Sequence, residues 1–83
     1  MNDAQLAERI TFNPEIFGGK PIIRGMRIAV EHILGMMAAG SSVEELLEAY
    51  DFLEREDILA CLEYARRSLA SEYFEPLPSD TAA

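Results

Sequence analysis

The residues best suited to chemistry lie together between Gly18 and Ile28, in Gly-Gly-Lys-Pro-Ile-Ile-Arg-Gly-Met-Arg-Ile. This strip holds Lys20, Arg24 and Arg27, three of the seven basic residues of an 83-residue chain, with three of its five glycines and no carboxylate. Guanidinium forks match the geometry of phosphate and carboxylate, and glycine lets a backbone approach an anion closely. Two readings stay open. Either the strip contacts a nucleic acid, or Arg24 and Arg27 pair with acidic residues of the chain's own helices, such as Glu31 or Glu48. Nucleotide is excluded as a ligand. A phosphate-binding loop needs Gly-x-x-x-x-Gly-Lys followed by Ser or Thr, whereas Pro14 stands at the first glycine's place and Pro21 follows Lys20.

Other chemistry finds little support. His32 and Cys61 are the single histidine and the single cysteine, and neither has metal-ligand spacing around it. His32 reads as a partly exposed helical residue and Cys61 as a small core residue. The many carboxylates fall on the solvent faces of helical stretches, so a solvated surface explains them better than an acid–base pair. The chain is expected not to be an enzyme and to hold neither metal nor cofactor.

The elements that position the strip follow from periodicity. Residues 1–8 have little pattern and read as a flexible arm. Arg9-Ile-Thr-Phe-Asn13 alternates as a short strand does, Asn13-Pro14 favours a turn, and Ile22, Ile23 and Ile28 flank a bend at Gly25. This predicts a small irregular hairpin. Val30, Ile33, Leu34 and Met37 then recur at helical spacing, with Gly35 placed for close helix packing and Gly40 as the glycine that ends the helix. Ser42 with Glu45 is a capping box for a second helix whose stripe is Val43, Leu46, Leu47 and Tyr50. A third begins near Glu54 or Arg55, with Ile58, Leu62, Ala65 and Leu69 as its buried seam and Glu63 and Arg67 as an i,i+4 pair. Pro76 and Pro78 stop it, which leaves 76–83 as a disordered tail. Tyr73, Phe74 and Leu77 form an apolar end that is either a last turn of core or a segment that docks on a partner.

Length allows a single domain, over residues 9–75, and a chain this short buries only roughly 60% of its unfolded surface, so a homodimer is expected. One cysteine permits no internal disulfide, and no apolar run approaches the roughly 20 residues that span a bilayer. Without a secretory signal at its start, the chain reads as cytoplasmic and away from membranes. Charge is uneven. Residues 1–40 balance four basic against four acidic side chains, whereas residues 41–83 set three against eleven, and the whole net charge of −8 sits there. The last two helices fit a helix-turn-helix, yet the second opens on Glu54-Arg55-Glu56-Asp57, which meets phosphates badly. Any DNA contact therefore shifts to the strip.

Arg9-Ile-Thr-Phe-Asn-Pro-Glu-Ile-Phe-Gly-Gly-Lys-Pro-Ile-Ile-Arg-Gly-Met-Arg-Ile closely resembles the signature of the bacterial domain-of-unknown-function family 433. Ala39-Gly-Ser-Ser-Val-Glu-Glu-Leu-Leu-Glu-Ala-Tyr and Leu53-Glu-Arg-Glu-Asp-Ile continue the resemblance in register, which covers roughly residues 9–66. The resemblance implies a mainly α, homeodomain-like or winged-helix-like three-helix bundle with a short N-terminal β-hairpin. It also implies a VapB-like antitoxin of a type II toxin–antitoxin pair, which binds a PIN-like ribonuclease toxin and its own operator DNA. The motif positions here are Gly18, Gly19, Lys20, Pro21, Arg24, Gly25, Arg27 and Ile28. On this reading Lys20, Arg24 and Arg27 contact DNA, while the acidic helices, with Tyr73, Phe74 and Leu77, engage the toxin. The alternative is a dimeric protein-interaction module that binds no DNA.

Overall fold

Ile22 and Ile23 are fully buried β-branched residues, and they form the inner strand of a small sheet. In the computed structural model, which describes residues 2–71, strand β1 (Ile10–Thr11) pairs antiparallel with β2 (Ile22–Ile23), Ile10 opposite Ile23 and Thr11 opposite Ile22. The ladder continues past β2, because Ile22 bridges to Ala29 and the Ile23 N–H donates to the Ile28 carbonyl at 3.2 Å. Four helices complete a mainly helical fold: α1 (Asp3–Ala7), α2 (Val30–Ala38), α3 (Val43–Ala49) and α4 (Arg55–Ser71). Ile10, Ile23 and Ile28 from the sheet meet Ile33 of α2, Leu46 of α3 and Ile58 of α4 in one core.

The caps read from the sequence are present. The Ser42 hydroxyl accepts from the Glu45 N–H at 3.1 Å, and the Glu45 carboxylate accepts from the Ser42 N–H at 2.8 Å. Ser42→Ala removes half of this box and is expected to lower stability by about 1 kcal/mol, read as a drop in urea midpoint with unchanged m. Gly40, at φ +111, ends α2. Its N–H donates to the Met37 carbonyl at 3.0 Å while the Ser41 N–H donates to that of Met36 at 3.0 Å, the double bond of a Schellman motif.

Three expectations are corrected. Residues 1–8 are not all an arm, since α1 forms there and is closed by a second capping box between Asn2 and Gln5. Gly35 does not serve close helix packing, because a Cβ built there meets nothing within 4 Å. The seam of α4 is also turned. Ile58 is buried as expected, but Leu62 and Leu69 are exposed, and the inward face runs through Asp57, Ile58 and Cys61. The cause is a buried charge, which draws Asp57 inward and sets the phase of the helix. Tyr73, Phe74 and Leu77, and the tail at 76–83, lie outside the described residues.

Candidate functional site

The basic strip is wound into a tight turn. Arg24 at φ +46 and Gly25 at φ +72 occupy its two central positions, and the Met26 N–H closes it on the Ile23 carbonyl at 2.8 Å. Two successive left-handed residues make a type I′ hairpin turn, which suits glycine and costs an arginine about 1–2 kcal/mol. The side chain of Arg24 accounts for its place there. Its Nε donates to Asp57 Oδ1 at 2.9 Å and its Nη2 to Asp57 Oδ2 at 2.7 Å, a two-pronged guanidinium–carboxylate pair. Nη2 also donates to the Phe52 carbonyl at 3.0 Å, in the link between α3 and α4.

Asp57 is the centre of this arrangement. Its side chain has no solvent exposure. Arg9, just before β1, donates from Nη1 to Asp57 Oδ1 at 2.9 Å and to Glu54 Oε1 at 2.7 Å. The Glu54 N–H donates to Asp57 Oδ2 at 2.8 Å, so the third residue of α4 also caps the helix start. Both carboxylate oxygens are thus saturated, and the charge lies at the positive end of a 17-residue helix. Burial pushes this carboxyl up more than any one partner pulls it down. The bonds from Arg24, the Glu54 backbone and Arg9 outweigh burial together and hold it below the ordinary aspartate value. Among the described residues no buried side-chain polar atom lacks a partner.

Lys20, Arg24 and Arg27 therefore do not converge on one ligand. Of the two readings left open for Arg24, the structure shows an internal pair, made with Asp57 rather than with Glu31 or Glu48. Lys20 lies 3.2 Å from Glu31 with both side chains exposed, a pair worth about 0–1 kcal/mol. Arg27 is exposed and makes no ion pair among the described residues. It lines an open groove of about 850 Å³ with Phe17, Lys20, Glu31, His32 and Met36. Of the remaining motif residues, Gly18 and Gly19 take φ +67 and +88, Ile28 is buried, and the Pro21 carbonyl accepts from the first N–H of α2.

His32 is exposed, with Nε2 3.0 Å from the Tyr50 hydroxyl, and Cys61 is buried with its thiol pushed up to about 12, mainly by burial and further by the Asp57 charge. A thiol so placed is inert. Among the described residues no three His, Cys, Asp or Glu side chains group to hold a metal. On α3 Glu44, Glu45 and Glu48 are exposed at helical spacing, and Asp51 is exposed in the turn that follows the extended Tyr50. Arg55 takes Glu44 at 2.7 Å, while Glu45, Glu48 and Asp51 have no cationic partner among the described residues.

Sequence reasoning missed Asp57 and Arg9. The visible signal was local: an acidic side chain three residues after a helix N-cap and next to the apolar Ile58. Its arginine partners lie 33 and 48 residues away and leave no periodicity to detect.

Residues 10–65 match the family described as "Protein of unknown function (DUF433)". The chain is 42% identical over 62 residues to Uncharacterized protein y4eO of Sinorhizobium fredii (strain NBRC 101917 / NGR234). That match takes in 75% of this chain but spans only 28% of the relative's length. The fold is similar to the crystal structure of a DUF433 member protein from Anabaena variabilis ATCC 29413, at a TM-score of 0.72 and 30% identity, over 81% of this chain and 66% of that one. The chain belongs to the DUF433 family.

Proposed function

We propose that this DUF433 member is an antitoxin that neutralises a PIN-like ribonuclease by laying the exposed carboxylates of α3 and the turn after it against the enzyme's RNA-binding surface. The observation that carries this reading is these carboxylates themselves, since Glu45, Glu48 and Asp51 are exposed without cationic partners among the described residues. A ribonuclease must present cations to the phosphates of its substrate, and a group of carboxylates competes for them. The choice of such a toxin as partner rests on the resemblance of Gly18–Ile28 and its flanks to family 433, which implies a VapB-like antitoxin role. On the same reading α2, α3 and α4 form the homeodomain-like or winged-helix-like unit, and the Arg9–Arg24–Asp57 cluster serves to hold the hairpin onto it.

A PIN-like ribonuclease encoded beside this chain, purified and immobilised, provides the test. Wild type is expected to bind it and suppress RNA cleavage, and Glu48→Lys/Asp51→Lys, which leaves the Ser42–Glu45 cap intact, to associate at least about tenfold more slowly, with a flatter salt dependence. Equal association by the double variant sinks the reading, as does the lack of such a gene. A second reading, contact with operator DNA, is favoured by Arg27, whose guanidinium is exposed and unpaired among the described residues. It assigns phosphate contacts to Arg27 and Lys20 and a structural role to Arg24. A mobility shift on the upstream region that Arg27→Ala abolishes would support it.

A further inference from the structure

The groove beside Arg27 is built for an acidic, aromatic segment, and we infer that residues 72–83 of a second copy of this chain occupy it. The inference stands apart from any toxin. Phe17 and Met36 supply apolar walls, and Arg27 stands over them. Lys20 is already matched by Glu31, so Arg27 is the cation left to receive a carboxylate. Phe17 itself is held at φ +52 while its ring stays about half exposed, so burial in its own fold does not account for the strained backbone.

The complementary segment is on the chain. Residues 72–83 read Glu-Tyr-Phe-Glu-Pro-Leu-Pro-Ser-Asp-Thr-Ala-Ala, with three carboxylates, two aromatics, one leucine and no basic residue. Leu77 lies six residues beyond Ser71, a reach of roughly 20 Å when extended. Position on the fold selects a second copy over the chain's own tail. On α2 the buried residues Val30 and Ile33 face the core shared with α4, whereas the exposed Glu31, His32 and Gly35 fall on the opposite side of that helix. The groove thus opens away from α4, from whose end residues 72–83 continue. Reciprocal exchange between two copies fills both grooves through one two-fold axis.

The full chain is tested by sedimentation equilibrium. Wild type is expected to be a dimer, and Arg27→Glu and Glu75→Lys each to raise the dimer dissociation constant at least tenfold. Mixing these two variants is expected to restore dimers, because both exchanged contacts are then of opposite charge. Gly35→Leu provides a variant that blocks the groove without harming the fold, since Gly35 lines it and has open space at its Cβ. It is expected to give monomers with an unchanged or raised Tm. A monomeric wild type, a dimer indifferent to these variants, or failure of the mixture to reassociate overturns the inference.

Discussion

Asp57→Ala is expected to lower the unfolding free energy by about 3–5 kcal/mol, a large part of the 5–15 kcal/mol typical of a domain. The substitution frees two guanidinium groups, of Arg9 and Arg24, from their shared carboxylate. It also strips the Glu54 N–H of its acceptor and leaves Arg24 in a left-handed conformation that nothing then repays. Urea unfolding followed by far-ultraviolet circular dichroism measures the loss. A change below about 1 kcal/mol would mean that the cluster is incidental to the fold.

The same residue shapes the acid limb of stability. The carboxyl of Asp57 titrates lower in the folded chain than in the unfolded one, so its contribution is complete above the ordinary carboxylate range and disappears as pH falls through the folded value. Glu63 acts in the same direction. The hydrogen bond from Arg66 holds its carboxyl down to about 2 against some burial, with help from Arg67. Asp57→Asn should therefore flatten the decline in urea midpoint below about pH 4.5, and the slope that remains belongs to Glu63 and its like.

What could be read from the sequence was what the chain decides locally. The Ser42–Glu45 box, the glycine that closes α2 and the Glu63–Arg67 pair each lie within one turn of helix, and each is present. The box that starts α1 is equally local, but Asn2 and Gln5 precede no clear apolar stripe that would mark a helix start. The phase of α4 was not legible. Leucine at 62 and 69 suggests an inward seam, but the saturated carboxylate at 57 is better served inside, and turning it inward leaves both leucines at the surface. The basic strip was legible as a unit and illegible in its parts. One of its cations faces inward and one outward, a choice made by a carboxylate more than thirty residues downstream.

That division within the strip gives the second large effect, because Arg24→Ala and Arg27→Ala should behave as different kinds of variant. Arg24→Ala removes three side-chain hydrogen bonds and leaves a fully buried carboxylate with Arg9 as its remaining arginine partner. A loss of about 2–4 kcal/mol follows, somewhat below that of Asp57→Ala because Arg9 and the Glu54 N–H still hold the charge. Relief of the strained turn returns a small part, and Arg24→Gly should therefore be slightly less harmful than Arg24→Ala. Arg27→Ala breaks no hydrogen bond among the described residues and should leave the urea midpoint of the isolated fold within about 0.5 kcal/mol, provided protomer concentration is kept below that of any dimer. The contrast bears directly on how binding losses are interpreted. A weakened mobility shift or pull-down by Arg24→Ala is assigned to an unfolded hairpin, and not to a missing contact, only when Arg24→Lys, which keeps the charge but cannot fork onto Asp57, fails in the same way. Loss by Arg27→Ala in a chain of unchanged stability reports the surface itself.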